Sequence, residues 1–195
     1  MPQLFSLNNK EKDFCVALAR KSIQHFLENN FSLELGEAEI KKLPKKLLEK
    51  KACFVTLKIN ERLRGCIGHL SASQSLFLDI IENAYNAAFE DSRFPILNKN
   101  EFEKVTVEVS VLTDPEDLLF SDEKNLLEKI RPEIDGLILR KGRCSATFLP
   151  SVWEELTDKE QFLSQLCAKA GMSPNEWRLP GLKVQRYEAI KAQEK

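Results

Sequence analysis

A thiol sits between two glycines in the run Leu63-Arg64-Gly65-Cys66-Ile67-Gly68, with a guanidinium two residues upstream of it. These residue types suit nucleophilic chemistry. A nearby cation favours thiolate over thiol, and glycine, lacking a Cβ, lets a ligand or another backbone come close. They suit packing equally well, because free cysteine is among the most buried residue types and glycine in a strand marks a bulge or a tight contact. On chemistry alone both readings of the run stay open.

A second group is Asp91-Ser92-Arg93-Phe94-Pro95. Arg93 can act as a planar fork for a carboxylate or phosphate, held in place by Asp91; the alternative is an ordinary ion pair at a helix end, with Phe94 packed beneath. Glu108 and Ser110 fall on the polar side of an otherwise apolar strand, where they line the same cavity or face solvent. A cysteine hydrolase needs a base beside its thiol, and His25 and His69 are the chain's two histidines. His69 follows Cys66 by three residues, a spacing that does not aim the two side chains at each other from a strand. Cys66 and His69 would also give a metal two ligands where zinc takes three or four, so no bound metal is expected. The glycine-rich phosphate and dinucleotide loops are missing, and no cofactor is expected either.

The periodicity of the chain supplies the elements that must position these groups. From Lys10 to Asn29, Cys15, Leu18, Ala19, Ser22 and Phe26 recur at helical spacing. A Lys-rich connection follows, with a short helix at Lys45 to Lys50. At Ala52 the period becomes two: Cys53, Val55, Leu57 and Ile59 alternate with Phe54, Thr56, Lys58 and Asn60, and Asn60-Glu61-Arg62 turns the chain into a second strand, Leu63 to Ile67. In a regular strand Arg64 and Cys66 share one face, and Leu63 and Ile67 take the core face. Ser71-Ala72-Ser73-Gln74 is a capping-box sequence before a helical stripe of Leu76, Phe77, Ile80, Ile81, Ala84, Tyr85 and Ala88 that runs to about Glu90. Val105 to Leu112 is a strand. Ser121 caps a helix with Leu126, Leu127 and Ile130, a hairpin joins Leu137–Arg140 to Ser145–Leu149, and Thr157 opens a helix that stops at Gly171. A last strand covers Leu182 to Ala189. Hairpins outnumber strand-helix alternations, which predicts an α+β fold with antiparallel sheet.

The 195 residues and 43% hydrophobic content can bury a real core. With 29 basic against 30 acidic residues the net charge is -1, which gives no electrostatic reason to expect nucleic acid or an anionic membrane as partner. The opening residues Met1 to Leu7 lack a basic segment before a long apolar one, and the five scattered cysteines form no disulfide framework. A cytoplasmic protein with reduced thiols is expected.

The hexapeptide at 63–68, then Ala87-Ala88 with Asp91, Arg93-Phe94 and Leu97, then Glu108, Ser110 and Leu112, then Phe148-Leu149-Pro150 and Lys169-Ala170-Gly171 together resemble the AMMECR1-like family over nearly the whole chain. Ser92 and Ile96 stand where prolines are common, and Ser151 where Gln often follows Leu-Pro. The resemblance implies one AMMECR1-like domain over 1–195, two-lobed, with a smaller lobe inserted near the middle and a cleft between the lobes. It also implies that the hexapeptide is the functional site, and it suggests a pathway shared with a Memo-like protein and a radical SAM protein. It assigns no reaction.

These readings combine into an expectation: an enzyme or enzyme subunit acting on a small anionic ligand in an inter-lobe cleft. Cys66 would be its nucleophile or covalent anchor. Arg64 would lower the pKa of Cys66 by about one unit or more. Asp91 and Arg93 would hold the ligand's anionic part, with Gly65 and Gly68 giving it room and Glu108 or Ser110 lining the same wall. The competing expectation is a non-catalytic adaptor in which the Arg-Gly-Cys strand is structural.

Overall fold

A computed structural model describes residues 5–194. Its contacts divide the chain into two units, one running to Leu112 and taking up the chain again from Ile190, the other spanning Thr113–Ala189.

The first unit opens with α1 (Asn9–Asn29), whose start is fixed by reciprocal bonds between Asn8 and Glu11. Asn30, at φ 62°, ends it in the left-handed conformation. Two single-turn helices, α2 (Glu37–Ile40) and α3 (Lys45–Leu48), lead to the hairpin of β1 (Cys53–Ile59) and β2 (Arg62–Gly68). Asn60 and Glu61, both at positive φ, make its tight turn, the backbone sign that matches the twist of antiparallel strands. Then come α4 (Leu76–Phe89), α5 (Lys99–Phe102) and β3 (Thr106–Leu112). The capping-box reading places the start of α4 too early: its N-cap is Ser75, and Gln74 spends its amide on Asp79 and Glu82 instead.

The second unit begins with the two-residue strand β4 (Glu116–Asp117) and continues through α6 (Glu123–Lys129), the hairpin of β5 (Gly136–Lys141) and β6 (Cys144–Phe148), α7 (Lys159–Lys169) and β7 (Lys183–Tyr187). Asp122 rather than Ser121 caps α6, and Asp158 caps α7. Its sheet runs β4-β7-β5-β6, with a core in which Trp153 stacks on Phe162 at 3.7 Å. The expected single last strand is two: β7 ends at Tyr187, and β8 (Ala189–Gln193) joins the other sheet, ordered β2-β1-β3-β8. The fold is thus α+β, with antiparallel pairing throughout both hairpins and between β1 and β3.

In the first unit α4 packs over β1 and β2 while α1 packs on α4 and β3. Cys53, Val55 and Leu57 of β1 and Val107, Val109 and Val111 of β3 are fully buried beneath them. Strand alternation therefore turns the intervening residues Phe54, Thr56 and Lys58, with Glu108 and Ser110, to the opposite face of the sheet. No described helix is long and apolar enough to cross a membrane.

Candidate functional site

β2 is an edge strand, and its register is interrupted. Gly65 pairs with Leu57 but Lys58 pairs with Leu63, so Arg64 is an extra residue in a β-bulge. The bulge overturns two strand-based expectations. Leu63 leaves the core face and is 46% exposed. Arg64 is taken away from the thiol: its guanidinium is buried against Glu101, with Nε to Oε1 and Nη2 to Oε2 both at 3.0 Å, and Nη2 also donates to the Pro95 carbonyl at 2.8 Å. The pair holds the Glu101 carboxyl below its usual range. Arg64 is thus a latch on the segment after α4, and Cys66 draws no help from it.

The glycines are equally committed. A methyl group at Gly65 would lie 2.1 Å from the Ala87 carbonyl oxygen of α4, and one at Gly68 would lie 2.3 Å from the Phe54 ring. The expected room for a ligand at Gly65 is filled by the helix end, and at Gly68 by an aromatic ring.

Asp91 and Arg93 do meet Cys66, on the free edge of β2. The Cys66 N–H donates to Asp91 Oδ2 at 2.9 Å, and Arg93 Nη2 donates to the Cys66 carbonyl at 2.9 Å. Arg93 also binds Asp91 through its backbone N–H, Nε and Nη2, at 3.2, 2.9 and 2.7 Å. These bonds from Arg93 hold the buried Asp91 carboxyl well below the usual carboxylate range and push the arginine up. Together the two side chains occupy the hydrogen-bonding positions another strand would take. Asp91 is a main-chain clamp with both oxygens occupied, whereas the Arg93 side chain remains 56% exposed.

Because both main-chain groups of Cys66 point away from β1, Thr56 and Cys66 form a non-hydrogen-bonded pair, the arrangement that brings facing side chains closest. Thr56 Oγ1 lies 3.2 Å from Cys66 Sγ. The same row continues to Glu108, which pairs with Thr56 from β3. Glu108 binds Lys58 Nζ at 3.2 Å, and Ser110 Oγ reaches Glu108 at 3.5 Å. Burial pushes the Cys66 thiol up; the Thr56 hydrogen bond and the Arg93 charge pull it down, and Asp91 and Glu108 push it up further. The expectation of a depressed thiol pKa is therefore reversed, because burial outweighs the Thr56 hydrogen bond and the Arg93 charge.

His69 is not the base of Cys66. Its Nδ1 lies 2.7 Å from Oδ1 of Asp79, a fully buried carboxylate in the first turn of α4, so the ring sits on the helix side of the sheet. Among the described residues no three His, Cys, Asp or Glu side chains converge as metal ligands. Sequence reasoning missed Thr56 and Asp79. The alternation of β1 puts Thr56 on the Cys66 face, but its register against β2 depends on the hairpin turn. Asp79 carries one signal, a charged residue inside an otherwise apolar helical stripe. Grooves of about 480 and 400 Å³ lie in the second unit around Phe120, Leu179 and Pro180 and include none of the expected site residues.

A family model described as AMMECR1 matches residues 16–192. Protein MK0488 of Methanopyrus kandleri is 40% identical, the match covering 94% of this chain and 88% of that protein. Protein MJ0810 of Methanocaldococcus jannaschii is 37% identical, covering 94% and 90%. The crystal structure of an uncharacterised protein, PH0010 from Pyrococcus horikoshii, superposes with a TM-score of 0.83 at 34% identity, covering 98% of this chain and 95% of that one.

Proposed function

The chain belongs to the AMMECR1 family, and from that premise we propose that it is an enzyme, or a subunit of one, whose work on a small molecule passes through the Cys66 thiol. The observation that carries this is the row Cys66, Thr56, Glu108 on the sheet face turned away from α1 and α4: a half-buried thiol, a hydroxyl in contact with it, and a carboxylate next in line. A thiol with a raised pKa is kept protonated until substrate arrives, so the nucleophile is made in the reaction step itself. Sulfur forms a bond to an electrophilic carbon, the S–H proton passes by way of Thr56 to the Glu108 carboxylate, and the displaced electron pair stays on the substrate's heteroatom. Lys58 balances the charge that Glu108 carries at rest. Arg93, exposed beside the Cys66 carbonyl, meets an anionic group of the substrate. The proposal places this chemistry in the cytoplasm, where the thiol stays reduced.

The test is a comparison of small molecules, covalent and non-covalent, that co-purify with the native chain and with Cys66→Ala. The expected result is a species present in the first preparation and absent from the second, with circular dichroism unchanged. Identical sets of molecules in the two preparations would remove the thiol from the function.

A second reading has its own support. Gly65, Arg64 and the main chain of Cys66 are all spent on holding the end of α4 and the segment after it. In that reading the hexapeptide is a folding element and the chain is an adaptor, its partners being the Memo-like and radical SAM proteins that the family resemblance suggests. Cys66→Ala would then be silent in binding to such partners while Gly65→Ala would not.

A further inference from the structure

The Asp79 cluster lies outside the Cys66 row. Asp79 is fully buried, and four donors converge on it: the Cys53 N–H at 2.7 Å, Asn83 Nδ2 at 3.1 Å, Gln74 Nε2 at 3.3 Å and His69 Nδ1 at 2.7 Å. A carboxylate only accepts, so Nδ1 of His69 carries the hydrogen. Asn83 Nδ2 also lies 3.2 Å from that nitrogen, but its two hydrogens have acceptors elsewhere, in Asp79 Oδ2 and the Cys53 carbonyl. In the neutral ring this geometry selects one tautomer and leaves Nε2 as the acceptor nitrogen, on a side chain 39% exposed. His25, the other histidine, contrasts with it: its Nε2 is buried and finds no partner.

We propose that His69 and Asp79 form a second chemical centre, in which His69 Nε2 takes a proton from the O–H of a hydroxylic substrate or of its attacking water and Asp79 positions the ring. The oxygen keeps the bonding pair, the proton goes to Nε2, and the imidazolium so formed is neutralised through Nδ1–H by the Asp79 carboxylate. The groups in contact with His69 are Asp79 and Asn83 of α4 at the ring and the Cys53 carbonyl of β1 at its backbone N–H, and Gln74 joins Asp79 to Glu82, which it binds at 2.6 Å. Asp79 has a structural duty as well, since it caps the first N–H of β1.

The test uses the full chain and reads the ring directly, so it stands or falls apart from the Cys66 reading. Nitrogen-15 NMR of the neutral imidazoles should show His69 as the Nδ1–H tautomer; an Nε2–H tautomer in the unmutated protein would overturn the proposal. Diethyl pyrocarbonate should modify His69 about tenfold or more faster than His25, whose Nε2 is buried. Asp79→Asn, which keeps the shape, should lose the single tautomer and slow modification of His69 severalfold, and Asp79→Glu should recover part of both. Equal rates for the two histidines, or an Asp79→Asn variant that folds and leaves tautomer and rate unchanged, would also overturn it. If Asp79→Asn does not fold, the tautomer and the rate ratio in the native chain decide alone.

Discussion

Asp91 reaches across a gap of 25 residues to accept the main-chain N–H of Cys66 at 2.9 Å, and it does so with a carboxylate that Arg93 grips on both oxygens. The thiol is therefore positioned through its backbone, by groups that seal the edge of β2. Asp91→Ala should cost about 1–3 kcal/mol, since it leaves the Cys66 N–H without its partner. Urea denaturation measures the loss, and faster hydrogen exchange at the Cys66 amide locates it.

The same contact sets a pH dependence. Arg93 depresses the folded-state pKa of Asp91, so the stability it contributes is present above the unfolded value of about 3.9 and is lost as pH falls through the folded value. The stability gap between native chain and Asp91→Asn should be constant from pH 5 to 7 and narrow steadily below about pH 4. A gap that persists at full size down to pH 2 would contradict the assignment.

Thiol reactivity should separate the neighbours of Cys66 by sign. Alkylation of Cys66 should rise through a pKa above that of an ordinary thiol, because burial dominates. Thr56→Val removes a hydrogen bond that pulls the pKa down and should raise it further; Glu108→Gln removes a charge that pushes it up and should lower it. Rates of iodoacetamide labelling at Cys66 across pH 7 to 10, read by mass spectrometry, check both directions.

Arg64 should behave as a fold residue. Breaking its ion pair with Glu101 by Arg64→Met should cost stability, on the order of 1–3 kcal/mol for a buried charged bond, and should leave the Cys66 titration where it was. A thiol pKa that moves by a unit or more would return Arg64 to the site.

Gly65→Ala drives a methyl into the Ala87 carbonyl and should destabilise by about 1–3 kcal/mol or more, because backbone rather than a flexible side chain must give way. Gly36→Ala is the contrast: nothing closer than 3.9 Å meets its methyl, so its cost is confined to a weaker cap on the single-turn α2, about 1 kcal/mol or less. Thermal melts of the two variants side by side measure the difference.

What could be read from the order of residues was whatever depends on near neighbours. The apolar periods of α1, α4, β1 and β3, the hairpin turn at Asn60-Glu61, and the stop at Gly171, which adopts φ 75°, all follow from local sterics and one-sided burial. Local pattern also put Thr56 on the polar face of β1. Tertiary structure alone decided who meets whom. A one-residue bulge in β2 turned Arg64 towards Glu101, which no alternation rule foresees, since the rule assumes an unbroken ladder. The return of the segment after α4 brought Asp91 and Arg93 to the edge of β2, and the same packing put His69 with Asp79 on the helix side, away from Cys66. The titration of the thiol was decided there too. Sequence shows which charges are near in the chain, whereas a pKa answers to burial and to the charges that are near in space.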